Sequence, residues 1–198
     1  MLDAAFMCRW MSATAVAVDR DEARLTDLDS AIGDADHGAN LRRGFTAVAA
    51  ALDKEPPGTP GAVLALAGRQ LISTVGGASG PLYGTLLRRM GKELGDADEV
   101  TREQLARALG AGVAAVGLLG GAAAGDKTML DALLPAVDAL GESFGAAADA
   151  AGAGAAATVP LRARKGRASY LGERSVGHQD PGAASAALLI GALVEAAA

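Results

Sequence analysis

Residues 28–45 read LDSAIGDADHGANLRRGF and place Asp29, Asp34 and Asp36 within eight residues of one another, with Gly33, His37 and Gly38 among them. Carboxylates held so close repel, so either water bathes each of them or a cation gathers them. If the chain turns back through Gly33, the three side chains converge into an all-oxygen ligand set, which suits Mg²⁺ or Ca²⁺. One imidazole among oxygens, with no cysteine beside it, argues against structural zinc. An EF-hand does not fit either, because its bidentate glutamate would fall at Phe45. The competing reading is a solvated turn with an aspartate as helix cap; Asp27 fits that reading as a surface residue of the preceding helix.

Three further stretches carry chemistry. GGASG, residues 76–80, offers successive backbone N–H groups and the Ser79 hydroxyl at a helix start, the physical recipe for an anion site, or else a flexible turn. GAAAGDKT, residues 121–128, approaches a P-loop but fails it: Asp126 separates Gly125 from Lys127, and a helix rather than a strand precedes it. Asp126 and Thr128 are equally good helix caps there, and Met129 suits either the core or the face of a flat ring. The last stretch holds Arg164, Lys165, Arg167, Arg174 and His178, then Asp180, Pro181 and Gly182. Read alone it is a basic surface loop. Opposite an acidic loop, its cations suit phosphoryl oxygens.

The elements that must position these stretches read as helix after helix, because period-two alternation is hard to find. The pattern predicts helices at about 3–29, 40–54, 60–74, 81–95, 101–120, 128–145, 147–159 and 181–196. Thr59 with Pro60, Thr101 with Gln104, and Asp180 with Pro181 mark three of the starts. Short connections make sequence neighbours antiparallel, so alternate connections emerge at the same end. The breaks at 30–38, 76–80, 121–127 and 165–180 follow the first, third, fifth and seventh helices. All four chemically loaded loops therefore fall at one end, and together they supply metal ligands, amides, cations and an apolar patch, the inventory for a nucleotide with Mg²⁺.

The whole chain sets the bounds. Its 198 residues suit a single domain, residues 1–198. Apolar residues make up 51% and aromatics only 3%, so the core is built from Ala, Leu and Val, which suits closely packed helices. A net charge of -5 argues against nucleic acid as a partner. Cys8, the lone cysteine, reads as a buried thiol and excludes an internal disulfide. No segment reaches the ~18 apolar residues of a membrane span, and the start lacks a signal-peptide pattern. A cytoplasmic location without membrane contact is the expectation.

The segments IGDADHGANLRRGF, GGASGPLYGTLLRRMG, GDKTMLDALLPA and RKGRASYLGERSVGHQDPGAASAALL resemble, in order and over residues 28–190, the L subunit of dihydroxyacetone kinase. The resemblance implies an all-α, eight-helix antiparallel up-and-down barrel with a nucleotide capping one end. It implies that Asp29, Asp34 and Asp36 hold two Mg²⁺ ions that bridge the phosphates of ADP or ATP. It places His37, Gly38, Ala39 and Asn40 along the nucleotide, Ala78 and Ser79 at the phosphates, and Gly120 and Met129 at the adenosine. Arg167 would meet nucleotide oxygens, and Asp180, Pro181 and Gly182 would close over the base or ribose. No catalytic residue is implied on this chain beyond these ligands. The implied activity is phosphoryl transfer to dihydroxyacetone held on a separate K subunit, with a phosphohistidine M subunit of the phosphotransferase system recharging bound ADP. Exchange of free ATP is the alternative, and a fatty-acid kinase domain or a non-catalytic nucleotide sensor are others. Self-association as a homodimer stays open. Two departures stand out: Ala35 replaces a glycine common in the family, tolerable unless the position needs positive φ, and Ala78 replaces a serine.

Overall fold

The computed structural model describes all residues, Met1–Ala198. A two-residue strand β1 (Leu2–Asp3) leads into α1 (Ala4–Arg20) and α2 (Glu22–Ile32). There follow α3 (His37–Lys54), α4 (Pro60–Thr74) and α5 (Ser79–Leu94). Strand β2 (Glu99–Val100) pairs antiparallel with β1, and then come α6 (Arg102–Gly120), α7 (Leu130–Leu140) and α8 (Phe144–Ala157). A 3₁₀ segment (Arg167–Ser175) precedes α9 (Pro181–Ala197). No helix is long and apolar enough to cross a membrane.

The three cap signals act as the residue types require. Thr59 accepts from the amide of Ala62 at 3.3 Å, and Asp180 accepts from that of Ala183 at 2.7 Å. Thr101 Oγ1 takes the amide of Gln104 at 3.2 Å while Gln104 Oε1 takes that of Thr101 at 2.7 Å, a complete capping box. Each such cap contributes about 1 kcal/mol.

The helices pack in a closed ring. α1 meets α3, α3 meets α4, and the sequence continues α5, α6, α7, α8 and α9 until α9 returns to α1. The expected eight staves are present, with α1 and α2 forming one stave bent at Asp21. The single helix expected over residues 3–29 is interrupted there: Asp21 has φ −98° and ψ 8°, and its carboxylate pairs with Arg20 at 3.0 Å and Arg24 at 3.3 Å. The bend lets α1 pack on α4 and α9 while α2 leans over the 3₁₀ segment. The sixth helix ends at Leu140 rather than 145, because Ser143 turns extended and caps the next helix, accepting the amide of Ala146 at 2.9 Å.

One core of 43 buried residues draws on every α-helix. Trp10 is its largest member, buried in α1 with Nε1 donating to Leu189 O at 2.8 Å. Small residues set the spacing elsewhere. Along the α4–α5 seam Gly68 faces Gly84: a Cβ on either would lie 2.7 or 2.8 Å from the other's carbonyl oxygen. The Ala- and Gly-rich stretch forms a full helix, α8, which buries Ala147, Ala151 and Ala155 as a stripe against its neighbours.

Candidate functional site

Four connections, α2–α3, α4–α5, α6–α7 and α8–α9, meet at one end of the ring around a cavity of 410 Å³. The alternation of loops read from the sequence is thus realised in space. Asp29, Asp34, Asp36, His37, Ala78, Ser79, Gly120, Met129, Arg167, Asp180, Pro181 and Gly182 all line this cavity. Gly38, Ala39 and Asn40 lie outside its wall. Gly38 sits where a Cβ would come within 2.2 Å of Glu22 O, so it lets α3 press on α2. Asn40 accepts from Arg43 Nη2 at 2.6 Å, and Arg43 Nε reaches Thr74 O at 2.9 Å, so Asn40 braces the turn before α5 from behind.

One carboxylate oxygen from each of Asp29, Asp34 and Asp36 lies within 4.8 Å of the others. Asp29 is buried at the end of α2, and its Oδ2 accepts the amides of Asp36 at 2.9 Å and His37 at 3.2 Å. That pair of bonds folds the loop back and starts α3 at His37, three residues before the expected Asn40. Asp34 and Asp36 are exposed on the cavity side. Asp34 Oδ2 pairs with Arg167 Nη2 at 2.9 Å. Ala35 between them adopts φ +62°, the left-handed region. An alanine there costs about 1 kcal/mol relative to glycine, offset by a less flexible unfolded chain. The donor set is all oxygen, partly open and anchored at one corner, which fits a hard divalent cation that keeps some of its water.

His37 is buried at the centre of a hydrogen-bonded chain. Its Nε2 lies 2.9 Å from Ser185 Oγ, and its Nδ1 lies 3.1 Å from Ser79 Oγ. Tyr83 OH lies 2.7 Å from the same Ser185 oxygen, which donates its own proton to Gly182 O at 3.1 Å. Ser185 has only one proton, so both His37 Nε2–H and Tyr83 O–H donate to it. His37 Nδ1 is then an acceptor and takes the Ser79 proton. Burial lowers the His37 pKa against the pull of Asp29 and Asp36, consistent with this neutral tautomer. The Ser79 hydroxyl is therefore committed to His37, and the donors left at this loop are the amides of the first turn of α5, which have no intrahelical partners.

Asp126 and Thr128 each serve the α6–α7 turn. Asp126 Oδ2 accepts the amide of Ala123 at 2.9 Å, and Thr128 Oγ1 that of Leu130 at 3.2 Å. The start of α7 is capped mainly from within, by Asp131 Oδ2 on the amide of Thr128 at 2.7 Å. Lys127 is only 1% exposed and turns away from a phosphate-binding role, its ammonium buried among main-chain carbonyls. Burial holds its pKa below the ordinary lysine range, with Asp180 opposing. Asp180 itself is pushed up to about 7, first by burial and then against the pull of the Ala183 amide.

Sequence reasoning does not single out Tyr83, Ser185 or the buried seat of Lys127. Faint signals exist: Ser185 is the one hydroxyl in α9, and Lys127 is the only cation between Arg107 and Arg162. Their partners lie far along the chain, 102 residues from Tyr83 to Ser185, where no local pattern reaches.

The DAK2 domain model matches residues 31–195. The chain is 42% identical over 187 residues to the PEP-dependent dihydroxyacetone kinase 1, ADP-binding subunit DhaL, of Listeria innocua, covering 94% of this chain and 93% of that one. It is 40% identical over 198 residues to the PEP-dependent dihydroxyacetone kinase, ADP-binding subunit DhaL, of Escherichia coli, covering 95% and 94%. The crystal structure of the dihydroxyacetone kinase from C. freundii in complex with AMP-PNP and Mg²⁺ superposes with a TM-score of 0.80 at 30% identity. That match covers 96% of this chain and 34% of the longer one, so the chain corresponds to about a third of it.

Proposed function

The chain belongs to the DAK2 domain family, alongside the ADP-binding subunits of dihydroxyacetone kinase, and on that premise we propose that it is the nucleotide-holding subunit of such a phosphotransferase. The observation that carries the reading is the meeting of three carboxylates, the first turn of α5 and Arg167 around one cavity. Residues 1–198 are read as one domain with that single task, supported by a core shared among all the α-helices.

Asp29, Asp34 and Asp36 hold Mg²⁺, two ions in the fuller reading. Bound there, Mg²⁺ supplies charge neutralisation to the phosphates of ADP or ATP. The chain's own residues do the rest. Asp29, fixed by two amides, sets the position of the other two carboxylates. The amides at Ala78 and Ser79 meet phosphate oxygens, and Gly120 and Met129 form the floor beneath the adenine. Asp180, Pro181 and Gly182 close the ribose side. Arg167 exchanges Asp34 for nucleotide oxygens: an ion pair this exposed contributes only about 0.2–1 kcal/mol, so a divalent cation displaces it readily. Phosphoryl transfer asks chiefly for positioning and charge compensation, and this chain offers both.

On this reading the acceptor is dihydroxyacetone presented by a separate K subunit, and a phosphohistidine M subunit recharges bound ADP; the relatives' names support a PEP-dependent kinase of several subunits with an ADP-binding one among them. The reading places the protein in the cytoplasm, alone or as a homodimer. A second reading, exchange of free ATP, is favoured by the likeness to a kinase solved with AMP-PNP and Mg²⁺. Purified protein passed through gel filtration separates the two: ADP retained in equal amount with the protein supports the first, and rapid loss of nucleotide supports the second. Failure to transfer a phosphoryl group to dihydroxyacetone with K and M partners supplied, and with ATP supplied, would remove both.

A further inference from the structure

Lys127 is the least exposed charged residue in the chain, and its backbone adopts φ +63°. A non-glycine residue in that region is held there by its surroundings. Those surroundings are carbonyl groups. Lys127 Nζ lies 2.9 Å from Thr158 O, 3.0 Å from Leu161 O, 2.8 Å from Ser175 O and 2.5 Å from His178 O, with Val159 O at 3.5 Å. Three ammonium protons are shared among five acceptors. No carboxylate forms an ion pair with this lysine.

All five carbonyls belong to one segment, the arm that runs from the end of α8 to the start of α9. The arm's only helix is the 3₁₀ segment; of the five carbonyls, Thr158 O and Val159 O each take one main-chain amide, from Leu161 at 3.1 Å and Gly177 at 2.8 Å, and those of Leu161, Ser175 and His178 look to the lysine. One cation takes carbonyls from the two ends of the arm, residues 158–161 and 175–178, and draws them together. Lesser ties lie alongside: Arg164 N donates to Asp126 O at 3.1 Å, and Asp180 N donates to Thr158 Oγ1 at 2.9 Å. The outer side of the same arm lines the cavity with Lys165, Gly166 and Arg167, and the arm ends where Asp180 opens α9.

We propose that Lys127 is a positioning residue for nucleotide binding: it gathers the arm through its carbonyls and so fixes Arg167 and the start of α9 at the cavity. The inference rests on the nucleotide reading above for its consequence, but the gathering itself is visible without nucleotide. A ring of carbonyls around a desolvated ammonium is also the coordination that a free ammonium ion accepts. Truncating the side chain therefore leaves a seat that a small alkylammonium can refill.

The test uses the full chain and Lys127→Ala, with amide hydrogen exchange and ADP–Mg²⁺ titration calorimetry. In the variant without nucleotide, amides of residues 158–178 exchange faster by about tenfold or more, the loss of one or two net hydrogen bonds, while amides of α4 and α5 keep their protection. ADP–Mg²⁺ affinity falls by about tenfold. Added propylammonium restores both, and tetramethylammonium at equal ionic strength restores neither. Unchanged arm protection overturns the proposal, as does lost affinity with the arm still protected, which would make Lys127 a direct ligand. If Lys127→Ala does not fold, Lys127→Arg keeps the charge with a wider head than the seat admits and carries the same comparison. A wild-type chain that ignores ADP–Mg²⁺ refutes the nucleotide reading, while the exchange data alone still decide whether Lys127 holds the arm.

Discussion

Arg167 Nη2 rests 2.9 Å from Asp34 Oδ2, so a cation suited to phosphate oxygens sits on a carboxylate suited to a metal. The side chains are 69% and 38% exposed. Solvent screens such a pair, and it adds little to the fold. Its interest lies in the two partners each group can exchange for the other.

Arg167→Ala is accordingly expected to change the free energy of unfolding by less than about 1 kcal/mol. The same change should weaken ADP–Mg²⁺ binding by about tenfold, since a charge-assisted hydrogen bond to the nucleotide is lost. Urea unfolding and calorimetry read the two effects separately. A large loss of stability with intact affinity would place Arg167 in the scaffold.

The chain Ser79–His37–Ser185–Tyr83 makes a different forecast. Ser185→Ala leaves the buried Tyr83 hydroxyl and His37 Nε2–H without their acceptor, which costs about 1–3 kcal/mol. Tyr83→Phe removes a donor together with its need and costs less. In the double variant the Tyr83 penalty disappears, so the two changes should sum to less than their separate effects. Additive losses in a double-mutant cycle would show that the hydroxyls are not coupled.

Asp180 sets a pH dependence. Burial lifts its pKa from the ordinary 3.8 to about 7. Between those values the folded chain keeps a proton that the unfolded chain has released. Stability from this group is therefore complete below 3.8 and is lost as the pH climbs through about 7. Asp180→Asn keeps an N-cap acceptor and cannot titrate. The thermal midpoint of the wild type should fall relative to Asp180→Asn as the pH rises from about 5 to about 8. Parallel curves would mean that Asp180 is ionised throughout.

Much of this was legible in the residues themselves. Thr59, Thr101 and Asp180 announce their helices because capping is local chemistry, and the alternation of loops follows from helices joined by short connections. The bend at Asp21 was not legible, because charged residues are as much at home inside a surface helix as at its break. The start of α3 moved to His37 because its amide is held by Asp29, eight residues earlier, in a loop whose shape depends on Ala35 taking φ +62°. Propensity alone argues against that angle for alanine. Lys127 resembled a phosphate-binding lysine by its neighbours, GDKT, yet its partners lie 31 to 51 residues further on and are all backbone. Backbone acceptors leave no trace in side-chain identity.

The most direct measurement is calorimetric titration of ADP into the wild type with Mg²⁺, into the wild type with chelator, and into Asp36→Asn with Mg²⁺. Asp36 is exposed and its side chain caps nothing, so the variant should keep the wild-type helical CD signal. The expected result is binding with Mg²⁺ alone, and a loss of about a hundredfold or more in the other two titrations, at least what outer-shell partners of a metal typically contribute. ADP bound within a few-fold of wild type in the presence of chelator, or by Asp36→Asn, would contradict the claim that these carboxylates hold the cation that holds the nucleotide.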